Sequence, residues 1–189
     1  MNWKKYASFL KVEKGICHGG AFFHDHQDIY DSYPDLDFRD RLARSTFSDS
    51  ILGGAAILES RLGDGNTLRA SLNLKRDTHE ERADESLPFA ETASTTGSVG
   101  IEDELLLGRD LRLVLGLGFD WFDVSAAERL VLADDGRPAG WEELEGASAE
   151  HWNPMLGINR ALGAGGQLVA SLGRKSRFPT LSQLYASRS

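Results

Sequence analysis

The sequence holds a single cysteine, Cys17, only five prolines, and no apolar run approaching the ~18 residues of a membrane-crossing helix. One thiol excludes an intrachain disulfide and a cysteine-based metal cluster. Without a long apolar run, any passage through a membrane must be made by strands. Positive charge is also short. Lys and Arg number 21 against 29 Asp and Glu, a formal net charge of -8, which argues against a nucleic-acid partner because phosphate binding needs a basic face. No nucleophile elbow or other catalytic constellation is visible, so the chain is not expected to be an enzyme. Near the start, Lys4 and Lys5 precede an apolar stretch of only Tyr6 to Leu10 before Lys11, Glu13 and Lys14 interrupt it. That is too short for the apolar core of a signal peptide.

What the chain does have is glycine and alternation. Twenty glycines, 41% hydrophobic and 26% charged residues describe a folded, strand-and-turn protein. From Thr67 to Lys75, Leu68, Ala70, Leu72 and Leu74 alternate with Arg69, Ser71, Asn73 and Lys75. Leu111 to Asp123 repeats this with Leu111, Leu113, Leu115, Leu117, Phe119 and Trp121 on one face. Trp152, Leu156, Ile158 and Leu162, then Leu168, Ala170 and Leu172, continue the stripe. Only Asp103 and Arg160 break it in the best strands. About eight strands are expected: 3–10, 17–31, 44–62, 67–81, 93–107, 111–124, 149–162 and 167–177.

The connections alternate in length. Gly63-Asp64-Gly65-Asn66, Gly108-Arg109-Asp110 and Gly163-Ala164-Gly165-Gly166 are tight hairpin turns, while 83–92 and 125–148 are longer, acidic and irregular. Short turns at one end and long loops at the other are the arrangement of an outer-membrane barrel. Trp121 and Trp152 flank the 125–148 loop on the apolar face, where membrane-interface aromatics belong. The face opposite the stripe mixes Gly, Ser, Asn and charge, as expected of the lining of a wet bore. A soluble β-rich domain with core tryptophans is the competing reading.

The last stretch, Trp152 to Tyr185, carries a resemblance. Asn153-Pro154 in a strand, the Gly163 to Gly166 turn, Gly173, and then Arg177, Phe178, Pro179, Leu181, Gln183, Leu184 and Tyr185 are similar to a segment of TonB-dependent outer-membrane receptors. The family's usual aromatic-Arg-Ala-Pro stands here as Ser176-Arg177-Phe178-Pro179. The resemblance implies an all-β, antiparallel up-and-down meander forming an arc of a barrel of about 22 strands, in the outer membrane of a Gram-negative bacterium. It also implies a transport wall for a scarce nutrient such as a ferric siderophore or cobalamin, embedded in outer-membrane lipid. Energy would come from the TonB complex acting on a plug domain. Residues 1–189 contain neither plug nor enough strands to close such a barrel, and end Ala186-Ser187-Arg188-Ser189 without a terminal aromatic. They are therefore expected to be a fragment, with a passive porin-like barrel as the alternative.

No cofactor or resident metal is expected. His24, His26 and Asp28 share one strand face and could form a two-histidine, one-carboxylate set, but neighbours two apart lie ~6–7 Å from each other and would need help to chelate. Solvated polar residues at a strand end are the plainer reading. His79-Glu80-Glu81 begins like a zinc-protease motif without its second histidine. Asp134-Asp135-Gly136 lacks the other ligands of a calcium loop. Arg174, Lys175 and Arg177 form a basic patch, read as charge balance for acidic residues of the bore, or less favourably as an attractor of anionic ligands or lipid phosphates.

Overall fold

A computed structural model describes residues 2–14, 16–163 and 165–185. Ala164 of the last turn and Ala186 to Ser189 lie outside the described residues. The chain forms β1 (Asn2–Lys14), β2 (Cys17–Ser32), β3 (Ala43–Arg61), β4 (Asn66–Arg82), β5 (Ala90–Leu107), β6 (Leu111–Leu132), β7 (Pro138–Glu143), β8 (Ser148–Leu162) and β9 (Gly166–Gly173), followed by the short helix α1 (Leu181–Tyr185). All nine strands belong to one antiparallel sheet in sequence order, with β7 and β8 both pairing β6. β1 and β9 are its two edges, so the meander is an unclosed arc.

Three of the hairpin glycines adopt the left-handed backbone that their turns require, Gly63 at φ 80°, Gly108 at φ 75° and Gly165 at φ 83°. They mark the lower end of the sheet. The long connections 33–42 and 83–89 and the β6–β7 hairpin turn at 133–137 mark the upper end.

Two expectations need correction. The 125–148 segment is not one irregular loop: β6 runs on to Leu132, and β7 returns beside it with Leu130 opposite Trp141. Arg129 donates to Glu142 at 2.7 Å across this pair, so the acidic residues that read as loop are cross-strand partners. Among the described residues the strands therefore number nine, with β7 and β8 forming one interrupted return strand. The strand expected over 167–177 stops at Gly173. Beyond it the chain turns back over the sheet, held first by Arg174 N–H donating to the Pro154 carbonyl at 3.0 Å.

Register settles which residues share a face. Leu10, Ala21, Gly54, Leu74, Gly97 and Trp121 form one row across six strands. Below that row the same face carries Phe119, Leu117 and Leu115 of β6 opposite Trp152, Pro154 and Leu156 of β8. Above it the face turns polar, at Arg76, Thr95 and Asp123 one step up and, past Phe23 and Leu52, at Asp25 and Ser50 two steps up, while Glu150 of β8 stands level with Trp121. From Leu111 to Trp121, at about 3.4 Å per residue and a barrel tilt of about 40°, the apolar band stands ~26 Å high.

Among the described residues no second layer covers this band. Leu72 is 48% exposed, Leu74 50%, Ile101 51%, Trp152 57% and Leu172 76%. Among the described residues the buried hydrophobics are only Ala93, Phe122 and Ala127. A soluble sandwich would bury its leucines between two sheets. This sheet presents them outward.

Candidate functional site

The face opposite the apolar band is where the chemistry gathers. Near its lower end Arg69 donates to Glu59 at 2.8 Å and Glu102 at 2.9 Å, with Glu104 at 3.3 Å, and Arg112 reaches Glu104 at 3.0 Å. Two guanidiniums therefore serve three carboxylates contributed by β3 and β5, a charge-lined wall of the kind that suits water.

In the upper part of this face, β2, β3 and β4 bring three histidines around one carboxylate. His26 lies directly opposite Asp49, and Asp49 directly opposite His79. His79 Nδ1 is 2.7 Å from Asp49 Oδ1 and its Nε2 is 3.5 Å from Glu81. The hydrogen bond from His79 holds the Asp49 carboxyl below its ordinary range, helped by the charges of His26 and His24, and Asp49 in turn raises the imidazole of His79. Both groups lie above the apolar band. Phe47 stacks on His79 with ring centres 6.3 Å apart, and Tyr30 meets Phe47 edge-on at 5.7 Å. Asp28, Tyr30, Ser45, Phe47, Asp49 and His79 line an open hollow of about 580 Å³.

His24, His26 and Asp28, which spacing alone allows as a set, do not stand as three ligands. His26 Nε2 is 3.1 Å from Asp28 Oδ2, so Asp28 orients the ring and does not sit beside it as a donor. His26 Nδ1 is enclosed and has no partner. Among the described residues no three side chains already stand in a metal-holding arrangement. Asp49 and His79 were missed as members of this group because they come from neighbouring strands, and only the pairing register shows them. His79-Glu80-Glu81 lies in β4, which removes the zinc-protease reading. Asp134-Asp135-Gly136 is the tip of the β6–β7 hairpin, with Gly136 at φ 78° and Asp135 accepting the Arg137 N–H at 3.0 Å.

The tail that carries the resemblance lies on the same polar face. Ser176 N–H and Oγ–H both donate to Asn153 Oδ1, at 3.1 and 3.0 Å, and Asn153 Nδ2 donates to Asp120 at 2.7 Å. Phe178 stacks on Phe122 at 5.6 Å and on His151 at 5.4 Å, both nearly parallel to it. Tyr185 donates to the Glu145 carbonyl at 3.0 Å, and α1 rests against β5. Asn153, Phe178 and Tyr185 are thus anchors of a strap across β8, β6 and β5. Pro154 and Gly173 sit where the strap leaves the sheet, and Pro179, Leu181 and Leu184 lie on the strap itself. Arg174, Lys175 and Arg177 are exposed on it, and among the described residues none of the three joins an ion pair. The charge-balance reading therefore finds no partner among the described residues.

Trp121 and Trp152 do share the apolar face. Phe119 lies between them, 6.1 Å from Trp121 and 4.8 Å from Trp152 between ring centres. Trp121 lies flat over Gly97, a position where any Cβ would collide with its ring.

The upper loops are tied by charge. Arg44 donates to both Asp31 carboxylate oxygens, at 2.6 and 2.9 Å, and to Glu85 at 3.3 Å, linking the β2–β3 connection to β4–β5. The Arg44 hydrogen bonds hold Asp31 below the usual carboxylate range. A carboxylate depressed in the folded state contributes stability that is complete above its unfolded pKa, about 3.9, and is lost as pH falls through the lower folded value. Asp31→Asn is expected to speed proteolysis within 33–42 at pH 7, and acidification below about pH 4 to do the same to the unaltered chain. Unchanged cleavage in both would remove this tie from the account.

No family model matches the sequence, and no curated protein matches it. Similarity is found among solved structures. The chain superposes on the copper transporter OprC with a TM-score of 0.78 and 17% identity, over 97% of this chain and 33% of that one. At that identity the likeness shows the fold, an arc of a barrel wall. The chain spans about a third of the transporter's length.

Proposed function

We propose that this chain is part of the wall of an outer-membrane active-transport barrel of the TonB-dependent kind, and that it is not an enzyme. One observation carries the reading: an uncovered apolar band edged by Phe119, Trp121 and Trp152 lies back to back with a charged, hydrogen-bonded face. In water such a face of contiguous exposed leucines is an aggregation hazard. Against hydrocarbon it is the stable arrangement, because every central strand has its backbone paired. The TonB-like tail motif and the superposition on an arc of a transporter support the same reading. The cargo is a scarce nutrient such as a ferric siderophore or cobalamin, and the neighbour's copper adds a metal ion to the candidates. The wall contributes a lipid-matched exterior and a polar interior, while plug and energy coupling belong to the rest of such a receptor.

Expressed in a Gram-negative host within its full reading frame, the chain is expected in the outer membrane, resistant to carbonate extraction and heat-modifiable in gel mobility. Uptake through it should stop when the proton-motive force is dissipated. Uptake that survives dissipation would favour a passive porin-like barrel, and full solubility without detergent would favour a soluble β-rich binding domain.

A further inference from the structure

We propose that the polar face of β2 and β3, above the apolar band, binds a borderline divalent transition-metal ion through His24, His26 and Asp49. His24 and His26 are two apart on β2 and project from the same face, ~6–7 Å from each other. Asp49 is the direct partner of His26 across the β2–β3 pair and lies diagonal to His24, distances of ~5 Å and ~7–8 Å. Two imidazoles and one carboxylate thus occupy the corners of a small triangle on one surface.

Two of the three corners, His26 and Asp49, are prepared by a neighbour. Asp28 engages His26 Nε2 at 3.1 Å and leaves Nδ1 enclosed with no protein partner. An imidazole that donates one N–H to a carboxylate offers its other nitrogen as a lone-pair donor, the usual preparation of a metal-binding histidine. His79 fixes Asp49 through Oδ1 at 2.7 Å and leaves the second oxygen available. His24 makes no hydrogen bond or ion pair among the described residues; the donors do not yet stand together, so binding requires the His24 ring to turn inward and the enclosed Nδ1 of His26 to open toward the ion. Two nitrogens and one oxygen select copper, nickel or zinc over calcium or magnesium, which prefer all-oxygen shells. Asp28 and His79 are positioning residues in this scheme. Binding stands on these residues alone; that the bound metal is cargo rests on the transporter reading above.

The chain has five histidines, which supplies internal controls in His18 and His151. Cu2+ is titrated into the detergent-folded full chain, with folding checked by heat-modifiable mobility, and nitrogen ligands are counted by paramagnetic resonance. The unaltered chain and the His18→Gln, His151→Gln double variant are expected to bind one ion with two nitrogens. His24→Gln or His26→Gln should each remove one nitrogen and weaken binding at least ~10-fold. His79→Gln should weaken binding ~10-fold with the nitrogen count unchanged, the mark of a positioning residue. A second readout needs no variant: Ni2+ should protect His24 and His26, and not His18, from diethyl pyrocarbonate. Binding unaffected by loss of His24 and His26, equal binding by the urea-unfolded chain, or no binding by the folded chain would each overturn the proposal. None of these results touches membrane insertion, so the two readings fail separately.

Discussion

Leu72→Arg is expected to destabilise the membrane-inserted chain by ~2–4 kcal/mol, while Asn73→Arg, one residue further on, should cost less than ~1 kcal/mol. The two side chains leave opposite faces of β4. Leu72 lies between Ala56 and Val99 in the middle of the apolar band, and Asn73 donates to Ser98 on the polar face at 3.1 Å. Both are exposed in the isolated arc, Leu72 at 48%. Accessibility alone therefore predicts that both substitutions are tolerated, as on any soluble surface. Only hydrocarbon against Leu72 makes them differ, because a guanidinium near the bilayer midplane must be desolvated. The check is the urea midpoint of folding into detergent or lipid for the two variants. Equal midpoints would mean that both faces meet water.

Phe178→Ala is expected to weaken docking of the strap by about 2 kcal/mol. A fully buried Phe truncated to Ala costs ~3–5 kcal/mol, and Phe178 is only half-buried, but it also loses two stacked rings. The two hydrogen bonds from Ser176 to Asn153 remain and do not compensate, since each is worth ~1 kcal/mol net. Limited proteolysis reads the open population directly, so cleavage within 174–185 should rise ~30-fold. Arg177→Ala, the exposed neighbour, should change it by less than ~2-fold. If Phe178→Ala leaves cleavage unchanged, the tail is held by something other than its aromatic anchor.

The strap shows what sequence reasoning reaches and where it stops. The strands were legible because period-2 alternation is a local property: Leu68 to Leu74 and Leu111 to Trp121 announce a face without any knowledge of their neighbours. Turn glycines were legible for the same reason, since Gly63 and Gly108 need a left-handed backbone. Partnerships were not. Arg129 and Glu142 looked like loop because their charges balance only across the β6–β7 pair, and the hydrogen bond between Asp28 and His26 cannot be read from spacing. The grouping of His26, Asp49 and His79 spans positions far apart in the chain. Register, a three-dimensional property, brings them together. The stretch from Arg177 to Tyr185 carries a resemblance that is local in sequence, yet its path back across the polar face depends on Phe122 and His151, which lie on two earlier strands.

The central claim concerns which face meets lipid, and a spin-label scan along β6 tests it most directly. With Cys17 replaced, single cysteines are placed from Leu111 to Trp121, and accessibility to oxygen and to a polar nickel reagent is measured in bilayers. The account predicts strict alternation: oxygen favoured at 113, 115 and 117, the nickel reagent favoured at 112, 116 and 118. Labels at 113, 115 and 117 that meet the polar reagent as freely as those at 116 and 118 would contradict it.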